Sequence, residues 1–172
     1  ASEIGQGSET VLAMIVAETL GIPLERIEVV NSDTAVTPWD VGVHASRTTF
    51  VAGNAARLAA EKLRAQLLEL AAPEFDDAAT NLDLKGGWVF PRREPERRLA
   101  YDAVARAAHF RTGGRVLVAE AFYDPPTAML DKDLHGNVSA AYTSAFQAVL
   151  VDVAPETGTV DVRKIASAHD VG

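Results

Sequence analysis

The sequence predicts an α+β fold with two layers, in which helices pack on a mixed β-sheet that includes a long C-terminal β-hairpin. The first observation is that two segments, Ser8–Leu20 and Thr48–Ala72, repeat apolar residues at helical spacing. The second is that segments 140–153 and 159–168 are rich in strand-forming residues and flank the turn sequence Pro-Glu-Thr-Gly. Helical patterns followed by a hairpin of this kind predict the α+β class.

The first helix is predicted with clear limits. Its apolar residues share one face and are Leu12, Ile15, Val16 and Leu20. Gly21 and Pro23 end it. Residues 27–31 alternate enough to predict a short strand, and a long irregular loop then runs to about Ser46. A loop of that length inside a compact region is usually functional or disordered.

The second helix is predicted to be long and buried on one side. The apolar residues of that side are Leu58, Leu63, Leu67 and Leu70, and Pro73 is predicted to stop the helix. Beyond it, Leu82–Lys85 and Trp88–Pro91 predict a short hairpin, because Gly86-Gly87 between them is a tight-turn sequence. Weaker patterns then predict a short helix over 102–109, a strand over 116–122 and a turn-rich loop over 124–137.

Composition and charge exclude several classes of function. The net charge of −8 argues against non-specific binding to nucleic acid or to an anionic membrane, since both need clustered basic residues. No apolar stretch approaches the ~20 residues of a membrane span, so we expect a cytoplasmic protein, or a periplasmic one whose leader has been removed. Without cysteine the chain has no iron–sulfur cluster of its own. Its length allows one core or two lobes, 1–75 and 76–172.

Side chains that often bind metals or catalyse reactions show no such pattern. The four histidines are His44, His109, His135 and His169, and none has the spacing of a metal ligand. Asp33 and Asp40 have the composition of turns rather than of an acid–base pair. Trp39, beside Asp40, is a candidate surface anchor or ligand wall, but burial is the expected role of a tryptophan here. We therefore predict no catalytic residue and no direct metal ligand within this chain.

The start of the first helix resembles an anion cradle. Gly5, Gln6 and Gly7 run directly into Ser8. Glycines let a backbone approach a ligand closely, and a helix N-terminus supplies unpaired N–H groups and a partial positive charge. The amide of Gln6 can both donate and accept hydrogen bonds. A glycine pair before a helix is also ordinary turn and cap chemistry, so this segment alone is not decisive.

A second cradle is predicted at the start of the long helix. Ala45, Ser46, Arg47, Thr48 and Thr49 form a small, hydroxyl-rich segment that opens that helix. Two such segments in one short chain favour a binding site for a ligand with anionic groups.

The order of short motifs along this chain resembles that in the molybdenum-binding subunit of the xanthine oxidase family. The resemblance is carried by Gly5-Gln6-Gly7, Ile15-Val16-Ala17-Glu18, Gly21-Ile22-Pro23, Ser32-Asp33-Thr34, Ala45-Ser46-Arg47-Thr48-Thr49, Gly53-Asn54-Ala55, Glu156-Thr157-Gly158 and Ala168-His169-Asp170-Val171-Gly172. Each motif is weak alone, but their order and spacing match along almost the whole chain.

The resemblance implies a cofactor and roles for both cradles. The cofactor is molybdopterin with molybdenum, often as the cytosine dinucleotide, in an oxidoreductase for an aromatic, heterocyclic or aldehyde substrate. By this resemblance Gln6, between Gly5 and Gly7, lies in the second sphere of the metal beside its oxo ligand. Segment 45–49 wraps phosphate and pterin atoms through backbone N–H groups and hydroxyls.

The resemblance also implies that parts of the site lie elsewhere. The family's Asn-Pro and Gly-Gln segments, and its base glutamate, follow the Asp-Val-Gly motif and are not in this chain. We therefore expect a partial molybdopterin-binding domain over 1–172, a fragment of a larger subunit that is inactive and lacks cofactor when isolated. Its expected partners are the rest of its subunit, iron–sulfur and FAD subunits or domains, and a small-molecule substrate, but neither nucleic acid nor membrane.

Within the family, segment 137–142 and the first fifty residues look most like the 4-hydroxybenzoyl-CoA reductase branch. Two other functions stay open at this point. One is a stand-alone module that binds phosphate or a nucleotide at the two helix N-termini. The other is an interaction domain with no ligand, in which both cradles are ordinary loops.

Overall fold

The structure is a computed structural model that describes residues 1–170, and it divides into two compact units. The first unit is Ala1–Asp124, and the second begins at Pro125. The division therefore lies further along the chain than the expected one between residues 75 and 76. The reason is that the end of the long helix and the strands that follow it share one core, as described below.

The first helix, α1, spans Ser8–Leu20, as predicted. It ends at Gly21, which has a left-handed backbone with φ of 72° and donates its N–H to the carbonyls of Ala17 and Glu18. Gly21 also lies against the strands, since a Cβ atom at this position would be 2.2 Å from the Leu84 carbonyl oxygen. The close approach holds the end of α1 against the sheet.

The second helix, α2, spans Thr48–Phe75 and passes through Pro73, so the predicted end at Pro73 is wrong. Continuing the helix places Phe75 in the core, where it is 3% exposed. Burial of an aromatic side chain outweighs the one hydrogen bond that proline removes. Asp76, with φ of 52°, then ends the helix.

Three short strands form an antiparallel sheet beside α2. They are β1 (Leu82–Lys85), β2 (Trp88–Pro91) and β3 (Leu99–Ala100), in the order β1-β2-β3, and the predicted hairpin is confirmed. The third helix, α3, follows at Tyr101–Arg111, and two single-turn 3₁₀ helices lie at Leu24–Arg26 and Ala79–Asn81.

One hydrophobic core joins α2, α3 and the sheet. Its buried members are Leu67, Leu68, Ala71, Phe75, Leu82, Leu84, Val89 and Val104. The Arg64 guanidinium adds an ion pair with Asp83 on β1, which lies at the edge of this core. Of the α2 residues predicted as buried, Leu67 lies in this core and Leu70 packs against it, whereas Leu58 and Leu63 are half-buried and outside it. Leu68 and Ala71 take their place against the strands.

Two predicted strands are absent from the described residues. Residues 27–31 and 116–122 belong to no strand or helix in the described part of the chain. The second segment instead lies along α2, where Gln66 Nε2 donates to the Val118 carbonyl at 3.1 Å and Lys62 Nζ donates to the Glu120 carbonyl at 2.9 Å. Strand-forming residues make a strand only when a partner strand is present, and the described residues supply none here.

The second unit contains a long antiparallel hairpin of β4 (Ser144–Ala154) and β5 (Thr159–Asp170), close to the predicted limits. The ladder has a register irregularity between Leu150 and Val151. The α+β class is confirmed, but the expected single mixed sheet is replaced by two separate antiparallel sheets. Short turns join β1 to β2 and β4 to β5, which favours antiparallel pairing.

No helix within residues 1–170 is both long enough and apolar enough to cross a membrane.

Candidate functional site

The cradle at the start of α1 is occupied by a side chain of the protein itself. Gly5 and Gly7 have φ values of 97° and 78°, which turn their N–H groups toward the carboxylate of Glu3. That carboxylate accepts hydrogen bonds from Gly5 N at 2.7 Å, Gly7 N at 3.1 Å, Glu9 N at 3.3 Å and Ser8 Oγ at 2.9 Å. The anion that the cradle binds is therefore the Glu3 carboxylate.

These hydrogen bonds favour the ionised form of Glu3. Together they lower the pKa of Glu3 to about 2 from the usual 4.5. The Ser8 hydroxyl lowers the pKa most, and the three backbone amides lower it further, whereas partial burial of the carboxylate raises it. Ser8 is itself 3% exposed, so its hydroxyl has little access to water as an alternative partner. The Glu3 carboxylate is therefore charged throughout the ordinary range of pH.

We expect Ser8→Ala to lower the free energy of unfolding by about 1–2 kcal/mol, because a partly buried hydrogen bond to a charged group is lost. In the wild-type protein, ionised Glu3 stabilises the fold above pH 4.5, and this contribution is lost as pH falls toward 2. Ser8→Ala raises the pKa of Glu3 toward its usual value. The midpoint temperature of thermal unfolding of this variant should therefore fall less steeply than that of the wild type as the pH is lowered from 4.5 toward 2.

The control is Ser2→Ala, since the Ser2 hydroxyl is exposed and forms no hydrogen bond with the described residues. Equal stabilities of the Ser8→Ala and Ser2→Ala proteins at pH 7 would contradict the assignment.

Gln6 is oriented by the backbone on either side of Glu3. Its Oε1 atom accepts from Ile4 N at 2.7 Å, and its Nε2 atom donates to the Ser2 carbonyl at 2.9 Å. A primary amide has two N–H donors, so one donor of Gln6 remains available to a ligand. Gln6 is exposed, and this donor can be reached from solvent.

The cradle at the start of α2 has a different geometry. Ala45 and Ser46 both have positive φ, 53° and 52°, whereas Arg47 returns to the right-handed region at φ −99°. Successive residues in left- and right-handed conformations point their N–H groups into one concavity, called a nest, which binds anions. Positive φ in residues other than glycine costs about 1–2 kcal/mol each, and such strain occurs preferentially at ligand sites.

Among the described residues, no carboxylate occupies the nest. The Arg47 amide donates to the His44 carbonyl at 3.3 Å, but no side chain caps α2, and the amides of Thr48 and Thr49 have no acceptor in the described part of the chain. Arg47 likewise forms no ion pair within the described part of the chain. Of the two predicted cradles, this one has free donors.

A pocket of about 460 Å³ adjoins the nest. Thr48 and Val51 of α2 line one side and Leu12 of α1 another, while Trp39 and Phe122 project from the neighbouring loops. Trp39 is 86% exposed, so its expected burial is wrong. Trp39 lines the pocket, and the turn that follows it is closed by a hydrogen bond from Gly42 N to Asp40 Oδ1 at 2.6 Å.

The structure brings only some of the predicted site residues to this pocket. Arg47 and Thr48 line it, whereas segment 5–7, Ala45, Ser46 and Thr49 do not. The helices that carry the two cradles nevertheless pack closely, since a Cβ atom at Gly53 of α2 would be 2.8 Å from Cδ1 of Ile15 on α1.

Sequence reasoning missed Glu3 and Phe122 as parts of the site, and it favoured burial over a ligand wall for Trp39. Glu3 could have been found, since an acidic side chain just before a helix start favours a capping role. The predicted turn role of Asp33 and Asp40 is confirmed, because each carboxylate accepts from a backbone amide two residues ahead. Among residues 1–170, no group of three or more histidine, aspartate or glutamate side chains could hold a metal ion.

The comparison with protein families decides what kind of domain carries this nest. The family model described as the molybdopterin cofactor-binding domain matches residues 1–172. The chain belongs to this family. By its description, a domain of this family binds the molybdopterin cofactor.

Curated relatives of this molybdopterin cofactor-binding domain are subunits of larger enzymes. The xanthine dehydrogenase molybdenum-binding subunit of Escherichia coli O157:H7 is 33% identical over 178 residues, covering 100% of this chain and 22% of the relative. The carbon monoxide dehydrogenase large chain of Hydrogenophaga pseudoflava is 31% identical, covering 98% of this chain and 20% of the relative. The chain thus spans about a fifth of the length of these relatives.

Solved structures share the fold of the domain. Quinoline 2-oxidoreductase from Pseudomonas putida 86 matches with a TM-score of 0.78 and 26% identity, over 99% of this chain and 21% of that chain. The Cu,Mo-CO dehydrogenase matches with a TM-score of 0.79 and 26% identity, over 100% of this chain and 20% of that chain. The xanthine oxidase family resemblance of the sequence is therefore confirmed. The last two residues of its Asp-Val-Gly motif, Val171 and Gly172, lie outside the described residues.

Proposed function

We propose that, in the whole protein, this domain forms one wall of the molybdenum cofactor site of a hydroxylase-type oxidoreductase. The substrate class that we propose is an aromatic, heterocyclic or aldehyde compound. The observation that carries the proposal is the uncapped nest at the start of α2, in a domain whose family binds molybdopterin. When bound, the cofactor supplies the metal and the pterin that exchange electrons with the substrate.

The nest fits the anionic part of molybdopterin. Its backbone N–H groups, together with the partial positive charge at the start of a helix of 28 residues, favour a phosphate group. The hydroxyls of Ser46, Thr48 and Thr49 add donors, and the Arg47 guanidinium adds a positive charge. These residues would hold and orient the cofactor rather than react with it.

Gln6 has a separate proposed role. Its amide is already fixed by two backbone hydrogen bonds, and its remaining N–H would point a donor toward the metal centre. A group held before the ligand arrives loses little entropy on binding. By contrast, phosphate binding by both helix starts is disfavoured, since Glu3 already fills the first. The stand-alone phosphate module therefore loses its main support.

Several finer features are also part of the proposal. We propose the cytosine dinucleotide form of the cofactor, iron–sulfur and FAD partners, a base glutamate elsewhere in the subunit, and a cytoplasmic location. The absence of cysteine supports an iron–sulfur relay on another domain or subunit. The 6-hydroxypseudooxynicotine dehydrogenase complex subunit gamma, a relative at 32% identity, is by name part of a complex. The likeness to 4-hydroxybenzoyl-CoA reductases stays a prediction, because these relatives do not single out that branch.

The test is the molybdenum and pterin content of the purified full-length protein. We expect Ala45→Val to lower both at least about tenfold, since a β-branched residue strongly disfavours positive φ and would distort the nest. Ala45→Gly is the matched control, because glycine adopts this conformation without strain. Gln6→Ala should reduce turnover or molybdenum content. Wild-type protein without molybdenum, or Ala45→Val protein with a full complement, would contradict the proposal.

A further inference from the structure

Glu3 is the charged group most fully engaged with the loop that carries Gln6. Its two carboxylate oxygens accept four hydrogen bonds, from the amides of Gly5, Gly7 and Glu9 and from the Ser8 hydroxyl. Two of these amides directly flank Gln6 in the sequence. A single carboxylate therefore accepts from the backbone on both sides of Gln6.

The two glycines make these hydrogen bonds important for the loop. Gly5 and Gly7 have φ values of 97° and 78°, and no atom lies within 4 Å of the position that a Cβ would occupy, so nothing packs against that side of either residue. A glycine that is not packed has wide backbone freedom and loses much entropy when it is ordered. The hydrogen bonds to Glu3 are the interactions in the described residues that hold both glycine amides in place.

The side chain of Gln6 is tied to the same segment. It bonds the amide of Ile4 and the carbonyl of Ser2, which are the two residues adjacent to Glu3. Backbone on both sides of Glu3 thus orients the Gln6 amide, while the Glu3 carboxylate holds the backbone on both sides of Gln6. The two side chains form one reciprocal unit.

We propose that Glu3 is a positioning residue: its carboxylate fixes the Gly5-Gln6-Gly7 loop and thereby aims the free N–H donor of Gln6. The part of this proposal that concerns the metal rests on the proposed function of Gln6. The part that concerns the loop does not. Glu3 is not itself a ligand, because its oxygens are occupied by the protein's own donors.

Three substitutions in the full-length protein separate the possible effects. Glu3→Gln keeps the size of the side chain but replaces one acceptor oxygen with an NH₂ group. That group would lie opposite the N–H and O–H donors of the loop, with which it cannot form hydrogen bonds. Glu3→Asp keeps the charge on a shorter side chain and should restore part of the hydrogen bonding to the loop. Glu9→Gln is the matched control. Glu9 is an exposed acid in the first turn of α1, and within residues 1–170 its carboxylate accepts only from Asn31 Nδ2, at 3.5 Å.

The first measurement is hydrogen exchange at the Gly5 and Gly7 amides. We expect Glu3→Gln to speed exchange about three- to tenfold, because charge-assisted hydrogen bonds to both amides are lost at a partly exposed site. Glu3→Asp should lie between Glu3→Gln and the wild type, and Glu9→Gln should match the wild type. If Glu3→Gln does not fold, Glu3→Asp and the control decide the result.

The second measurement is a double-mutant cycle on steady-state turnover, with molybdenum content measured in each protein. Glu3→Gln should lower kcat about tenfold with little change in KM, since small misplacement of an aligned group has effects of this order. When Gln6→Ala is already present, adding Glu3→Gln should not lower kcat further, because Glu3 acts through Gln6.

Two results would overturn the proposal. One is unchanged exchange at Gly5 and Gly7 in Glu3→Gln. The other is independent, multiplicative effects of Glu3→Gln and Gln6→Ala on kcat. If Gln6→Ala alone leaves turnover and molybdenum content normal, the proposed function of Gln6 fails, whereas the exchange measurement still decides whether Glu3 holds the loop.

Discussion

Gly21→Ala should lower the free energy of unfolding by about 2–5 kcal/mol, the sum of a backbone penalty and a steric one. The residue has φ of 72°, which costs an L-amino acid about 1–2 kcal/mol. Its new Cβ would also meet the backbone of β1, at 2.2 Å from the Leu84 carbonyl oxygen and 2.9 Å from the carbonyl carbon. Neither atom can move without displacing the strand.

The displaced strand would affect the neighbouring turn as well. Gly87 N donates to the Gly21 carbonyl at 2.8 Å, so separating α1 from β1 weakens a hydrogen bond to the β1–β2 turn. Chemical unfolding of the variant and the wild type gives the difference in free energy.

Gly158→Ala is the control that separates the two penalties. Gly158 has nearly the same φ, 71°, but no atom lies within 4 Å of the position of its Cβ. Only the backbone penalty applies there, so the expected loss is about 1–2 kcal/mol. Losses of the same size at the two positions would show that the approach of Gly21 to β1 does not contribute to stability.

Phe75→Ala is the second large expected loss, at about 3–5 kcal/mol. Phe75 lies in the last turn of α2, is 3% exposed and packs in the core with residues of β1 and β2. The Arg97 guanidinium also lies over its ring, 5.4 Å from the centroid. Removing the ring leaves a cavity and takes away the burial that holds the final turn of α2 together after Pro73.

The variant should therefore change both stability and local structure. Besides the lower free energy of unfolding, amide exchange at residues 74–77 should become faster than in the wild type. Phe110→Ala is the matched control, since Phe110 is a helical phenylalanine that is 79% exposed, and its loss should be below about 1 kcal/mol. A Phe75→Ala protein as stable as the Phe110→Ala protein would contradict this account of the end of α2.

The sequence was most informative where local signals and packing agree. Helix α1 has an apolar face and Gly21 at its end, and both limits were predicted correctly. Pro73 was misleading, because proline ends helices by a local rule, whereas the burial of Phe75 depends on strands that follow later in the chain. Segment 116–122 shows the opposite failure: its residues favour a strand, but the described chain supplies no partner for it.

The same distinction applies to the candidate site. Both cradles were predicted from glycines, hydroxyls and helix starts, and those are local features. Which cradle retains free donors was not predictable in this way, since it depends on a carboxylate that folds back over the first one. The strained backbone of Ala45 and Ser46 was also hidden, because neither residue type favours positive φ.

The hairpin of β4 and β5 has a practical consequence for work with this region alone. Its large apolar side chains on both faces are exposed, including Phe146 at 73% and Ile165 at 62%. A two-stranded ribbon is marginally stable in water by itself, and its free strand edges are templates for pairing with other molecules. Produced without the remainder of a longer subunit, residues 1–172 should therefore self-associate into aggregates as their concentration rises, and co-expression with the missing segments should restore solubility.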